Sequence, residues 1–190
     1  MRYAGVPLAA IVAQESPARP TVPHVFAKIV NAILDHGVRT PHICSNDGNL
    51  TQVHDLRKRI LAPDFALGAD VPALVLGTLL KTLLKDLRPR LLAERSSMPF
   101  AKINMAANAT QQAAAFVAGL DPAVRPTLEL LFFLFHVITA NRHANAVSAD
   151  DIARNVTPAF VETATPALQS AVSCMIKHFH RVFAVRRCRP

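Results

Sequence analysis

Catalysis needs reactive side chains at spacings that let them converge, and this sequence offers few. His178 and His180 are two apart, which on a helix sends their rings to different sides. They make a poor metal pair and read as surface residues. Asp150 and Asp151 adjoin but diverge on a helix, where acids near the first turn are favoured by the helix dipole. His136 lies inside an apolar run and reads as a satisfied core histidine. Cys44, Cys174 and Cys188 are an odd set without C-x-x-C spacing, so neither a disulfide framework nor a zinc site is legible. Cys188 is followed by Arg189 and Pro190 alone and forms no prenylation box. No G-x-G-x-x-G, P-loop, H-E-x-x-H or G-x-S-x-G occurs. The metal expectation is none.

Charge is the next chemical signal. Among 190 residues, 21 Lys and Arg against 13 Asp and Glu give a net charge of +8. Lys177, Arg181, Arg186, Arg187 and Arg189 supply +5 of it, and no acid follows Glu162. Residues 177–190 therefore read as a basic tail able to contact an acidic membrane or another anionic surface. Phe179 and Phe183 are four apart, which is core spacing rather than a base-stacking ladder, so no nucleic acid is expected. A hydrophobic content of 51% with 18% charged residues excludes a disordered chain. The longest apolar run, Leu130 to Phe135, is far short of the ~20 residues that span a bilayer. The first residues lack the apolar region of a secretory signal. These features predict a cytoplasmic, monomeric domain covering 1–190, peripheral to membranes if the tail engages them.

The elements that position these residues are helical almost throughout. Val25, Phe26, Ile29, Val30, Ile33 and Leu34 follow helical spacing between Pro23 and Gly37. Asn49 caps a helix carrying Val53, Leu56 and Ile60; another follows Asp70 and Pro72 and runs through Leu87, ending at Arg88-Pro89. Alanine-rich sequence from Pro99 to Ala118 favours a helix closed by Gly119. Val124 to Ala140 is apolar all round and predicts a central, buried helix. Ser148 caps a short one to about Val156, ended by Pro158, and Ala167 to Val185 forms the last. No segment alternates with a period of two. The prediction is a single all-α domain of about seven to nine helices.

Several weak motifs occur in a particular order. Gly5-Val6-Pro7-Leu8 opens the chain, and a helix from Val22-Pro23 ends in Leu34-Asp35-His36-Gly37-Val38. A short loop with Ile43 and Gly48 follows, then Val53-x-x-Leu56-Arg57, then Leu79-Leu80-Lys81-Thr82-Leu83-Leu84-Lys85. Asn145 to Pro158 reads N-x-V-x-x-D-D-I-A-x-x-x-x-P. Together, from Tyr3 to about Phe183, the set resembles the Rho GTPase-activating protein (RhoGAP) domain. That resemblance implies a helical domain that binds a Rho-family small GTPase, of Rho or Rac type, in signal transduction.

It also implies roles for particular residues. The family loop reads G-I-F-R-x-S-G, with its arginine as the catalytic finger; here it is His42-Ile43-Cys44-Ser45-Asn46-Asp47-Gly48, and Ser45 takes the finger position. Lys81 matches the family lysine, and Lys85 stands for the arginine that braces the loop. Asp151 replaces an asparagine that touches the G protein, and Pro158 matches the closing proline. Leu87-Arg88-Pro89-Arg90-Leu91 departs from the family's L-P-x-P-L.

The resemblance thus implies GTPase contacts at His42, Asn46, Lys81, Lys85, Asp151 and Pro158, with GTP and magnesium belonging to the partner and no cofactor of this chain's own. An arginine finger contributes about 10³–10⁵ in rate, and serine carries no positive charge. The expectation is a GTPase-binding regulator, not itself a hydrolase, whose activating function is weak or lost. Two alternatives stand beside it. One is an active GTPase activator using Arg39 or Arg57; the other is an adaptor of this fold that docks on acidic membrane or protein through the tail.

Overall fold

Helix α2 (His24–His36) begins and ends where residue chemistry dictates. Pro23 is its N-cap in an extended conformation, and the Gly37 N–H closes its end on the Ile33 carbonyl at 2.7 Å. Val25, Phe26, Ile29, Val30 and Ile33 form its buried face. Helix α3 (Leu50–Arg59) is capped by Asn49, whose Oδ1 accepts from the N–H groups of Thr51 and Gln52 at 2.9 and 3.2 Å. That satisfies two of the four donors a helix start leaves open. Helix α4 (Ala73–Asp86) follows Pro72 and buries Leu76, Leu79, Leu80, Leu83 and Leu84. The computed structural model describes residues 3–15, 22–60, 65, 67–68, 70–92 and 108–183.

Helix α1 (Leu8–Glu15) was not legible as an element; it buries Leu8, Ile11 and Val12. Helix α5 (Ala109–Ala118) is the end of the alanine-rich stretch, whose residues 99–107 lie outside the described ones. Helix α6 (Arg125–Ala140) is buried on one face rather than all round. Leu128, Leu131, Phe132, Leu134, Phe135 and Ile138 point inward, while Glu129 and Phe133, four apart, share an exposed stripe. A single turn, α7 (Arg142–Asn145), follows and ends at Ala146 in the left-handed conformation.

Two boundaries differ from expectation. Helix α8 (Ala149–Phe160) runs through Pro158 instead of stopping before it. Proline removes one hydrogen bond from the ladder, but Ala159 and Phe160 beyond it are fully buried, and their packing carries the helix on. The last helix is broken in two, α9 (Pro166–Lys177) and α10 (Phe179–Phe183), with His178 between them at φ −110° and ψ 27°. The break lets Phe179 sit between the rings of Phe133 at 5.8 Å and Phe183 at 5.0 Å.

The described residues thus form ten helical segments and no strand, eight segments of at least eight residues with α7 and α10 as short connecting pieces. Helix α4 packs between α2, α3 and α8, and α6 packs on α2, α8, α9 and α10. Phe132 of α6 lies near the middle of one aromatic cluster, with Phe135, Phe160 and Phe183 at 6.1, 6.0 and 5.6 Å. Such pairs add about 0.5–1.5 kcal/mol each beyond their buried area. Among the described residues, no helix is long and apolar enough to cross a membrane.

Candidate functional site

The loop between Gly37 and Gly48 is a run of tight turns laid across α4. Thr40 N–H donates to the Gly37 carbonyl, Ile43 to Thr40, and both Ser45 and Asn46 to His42. His42 and Cys44 adopt positive φ, 58° and 62°, which non-glycine residues seldom do. Ile43 and Cys44 are the loop's buried anchors. Burial pushes the Cys44 thiol up to about 12, so it stays protonated and inert. Gly48 is required by contact: a Cβ there would lie 2.5 Å from the Val75 backbone nitrogen.

Two polar clamps hold the loop. On the α4 side, Lys81 Nζ donates to Asp47 Oδ1 at 2.7 Å, and the Gly48 N–H donates to Thr78 Oγ1 at 2.9 Å. Lys81 is nearly buried, its side chain 11% exposed, while that of Asp47 is 65% exposed. The hydrogen bond from Lys81 holds the Asp47 carboxyl below the usual carboxylate range. On the other side, Asn145 is fully buried and completely used. Its Nδ2 donates to the carbonyls of Val38 and Ile138, its Oδ1 accepts from Val147, and its carbonyl accepts from the His42 N–H at 2.8 Å.

The candidate residues divide clearly against this frame. Ser45 sits at the turn, half-buried, with its Oγ donating back to the His42 carbonyl at 2.9 Å. His42, Asn46 and Lys85 are exposed. Asp151 is half-buried and engaged in the capping box of α8, bonded to the Ser148 N–H and hydroxyl and to Arg154 at 3.3 Å. Lys81 therefore pairs with Asp47 and not with Asp151. Pro158 lies within α8, half-buried. Of the arginines proposed to replace the finger, Arg39 is exposed, and Arg57 is bound to Asp86 at 2.6 Å.

Asp150 and Asp151 diverge as the sequence predicts, Asp150 reaching Ser173 and Lys177. Lys177 is consequently a paired residue at the end of α9 rather than the start of a free tail. Arg181 is exposed on α10, and Arg186, Arg187 and Arg189 lie outside the described residues. His136 Nδ1 lies 3.1 Å from the Ile176 carbonyl, a satisfied histidine as expected. Among the described residues, no group of three His, Cys, Asp or Glu side chains gathers to hold a metal.

Sequence reasoning missed Asp47 as the partner of Lys81 and Asn145 as the loop clamp. The Asp47–Lys81 contact spans 34 residues and leaves no local signature. Asn145 stood in the N-x-V-x-x-D-D motif, where its burial could not be read.

The RhoGAP domain model matches residues 23–165. No curated protein matches the sequence. The fold is similar to the crystal structure of the BH domain from GRAF, the GTPase regulator associated with focal adhesion kinase, at 16% identity and TM-score 0.77, covering 84% of this chain and 93% of that one. It is also similar to human Rho GTPase activating protein 15, at 19% identity and TM-score 0.82, covering 95% and 92%.

Proposed function

This chain belongs to the RhoGAP domain family, and on that premise we propose that it docks on a Rho-family small GTPase, of Rho or Rac type, while accelerating GTP hydrolysis weakly or not at all. RhoGAP domains regulate such GTPases, and the chemistry they assist takes place in the partner's nucleotide site. A RhoGAP domain supplies no covalent step; it positions a cation on charge developing at the transferring phosphate. An arginine finger contributes about 10³–10⁵ in rate, roughly 4–7 kcal/mol of barrier.

The observation that carries the reading is Ser45. It lies in a tight turn, and its side chain is neutral, short and bonded back onto the His42 carbonyl at 2.9 Å. His42 and Asn46 flank it with exposed side chains that can meet the partner's surface without replacing a guanidinium. Lys85 adds an exposed cation one turn beyond Lys81 on α4. Asp151 and Pro158 contribute from α8, with the Asp151 carboxylate occupied by its helix cap. GTP and magnesium belong to the partner.

The test has two readouts. Equilibrium binding to Rho- and Rac-type GTPases loaded with a non-hydrolysable GTP analogue should detect a complex. Single-turnover hydrolysis should remain within about tenfold of the GTPase alone, against the ~10³–10⁵ of a fingered activator. A thousandfold acceleration would overturn the inactive part, and the absence of binding to any Rho-family member would overturn the docking.

A further inference from the structure

We propose that Asp47 is a second, independent block on catalysis, acting as an internal counter-ion that withholds Lys81 from the partner and would capture a restored finger. The inference rests on the GTPase-docking reading above. Asp47 stands where the RhoGAP loop motif carries a neutral serine, two residues beyond the finger position. Its Oδ1 takes the Lys81 ammonium at 2.7 Å. Lys81 is the cation that the family motif retains on α4, and its side chain is 11% exposed. A counter-ion built into the same chain faces no concentration limit, whereas an anionic group of the partner would have to displace it from a part-buried contact whose lysine is almost wholly enclosed.

The same carboxylate bears on position 45. Two residues of extended chain span about 7 Å at most, well within the reach of an arginine side chain. Asp47 is 65% exposed and so accessible to such a guanidinium. An arginine introduced at 45 therefore has a nearby anion in its own loop, competing with the phosphate it should meet. Lys85 does not relieve this, because it too is attracted to Asp47. Asp47 is a positioning residue: it acts through Lys81 and through whatever stands at 45.

The experiment uses the whole chain in six forms: wild type, Ser45→Arg, Asp47→Asn, Asp47→Glu, and Ser45→Arg combined with each Asp47 change. Asparagine keeps an oxygen for Lys81 and removes the charge, and thermal unfolding checks that each variant folds. In single-turnover hydrolysis, S45R and S45R/D47E should stay near the wild-type rate. S45R/D47N should exceed S45R about a hundredfold or more, part of the ~10³–10⁵ an arginine finger supplies. In binding, D47N should tighten the complex relative to wild type, and D47E, which keeps the anion beside Lys81, should not. Equal rates for S45R and S45R/D47N, or D47E behaving as D47N, would overturn the inference while leaving GTPase docking intact. A chain that binds no Rho-family GTPase in any form would overturn the docking reading and this inference with it.

Discussion

Asn145 donates its side-chain amide to the Val38 carbonyl at 2.7 Å, joining two points 107 residues apart in the chain. The same residue receives the His42 N–H, so one buried asparagine fixes both the entry and the turn of the candidate loop. Replacing it by alanine would leave the buried Val147 N–H without its acceptor and take a donor from the Val38 and Ile138 carbonyls, of which Ile138 keeps the Asn141 N–H at 3.0 Å. Each such group costs about 1–3 kcal/mol when left unpaired, partly offset by relaxation. Asn145→Ala should lower stability by about 3 kcal/mol. Denaturant unfolding measures the loss, and faster hydrogen exchange at the His42 amide would locate it in the loop.

Ala146, one residue on, holds φ 58° and ψ 25° as the C-cap of α7 and is exposed. Left-handed backbone costs an L-residue with a Cβ roughly 1–2 kcal/mol, which glycine avoids. Glycine loses more freedom on folding, so the net gain is smaller. Ala146→Gly should raise stability by about 0.5–1 kcal/mol, read as a higher urea midpoint with an unchanged slope.

Much of the architecture could be read from local chemistry, because caps and periodicity are local. Pro23, Gly37, Asn49 and Ser148 mark helix ends within a residue of where they occur. What escaped depended on tertiary packing. Pro158 stays inside α8 because Phe160 is buried beyond it, and the last helix breaks at His178 where Phe179 turns toward Phe133. The exposed stripe of α6 was hidden because Phe133 is apolar yet faces outward. At the site, Ile43 and Gly48 were legible as loop anchor and turn, and the close approach of Gly48 to Val75 was not. The Asp47–Lys81 and Asn145–Val38 contacts were not, since both join distant segments and depend on which way a side chain turns.

Acid should weaken the fold through three aspartates. Asp150 is held below the usual carboxylate range chiefly by the Ser173 hydroxyl and then by Lys177. Asp151 is lowered by the Ser148 hydroxyl and N–H, and Asp47 by Lys81. In the unfolded chain each returns toward ~3.9. Their folded values are depressed, so the stability they give is fully present above ~3.9 and is lost as pH falls through the folded values. Urea midpoints should be level between about pH 7 and 5 with respect to these groups and fall below about pH 4. Asp150→Asn should start lower and show a shallower decline.

Arg57 tests the reading in which another arginine acts as the finger in place of Ser45. Its guanidinium is 2.6 Å from Asp86 at the end of α4, with side chains 28% and 20% exposed. The loop meets α4 earlier, at Val75, Thr78 and Lys81. From Thr78 to Asp86 the helix rises about 12 Å at 1.5 Å per residue. The ion pair therefore anchors Arg57 toward the far end of α4, and reaching the finger position would require breaking it and crossing that distance. Arg57→Ala should cost about 1 kcal/mol or less in stability, as partly exposed pairs do. Single-turnover hydrolysis with a Rho-family GTPase should be unchanged by it, and Arg39→Ala, which alters an exposed side chain beside Val38, should behave the same way. A rate that drops on either substitution would identify the arginine that replaces Ser45 and reassign this domain as an active accelerator.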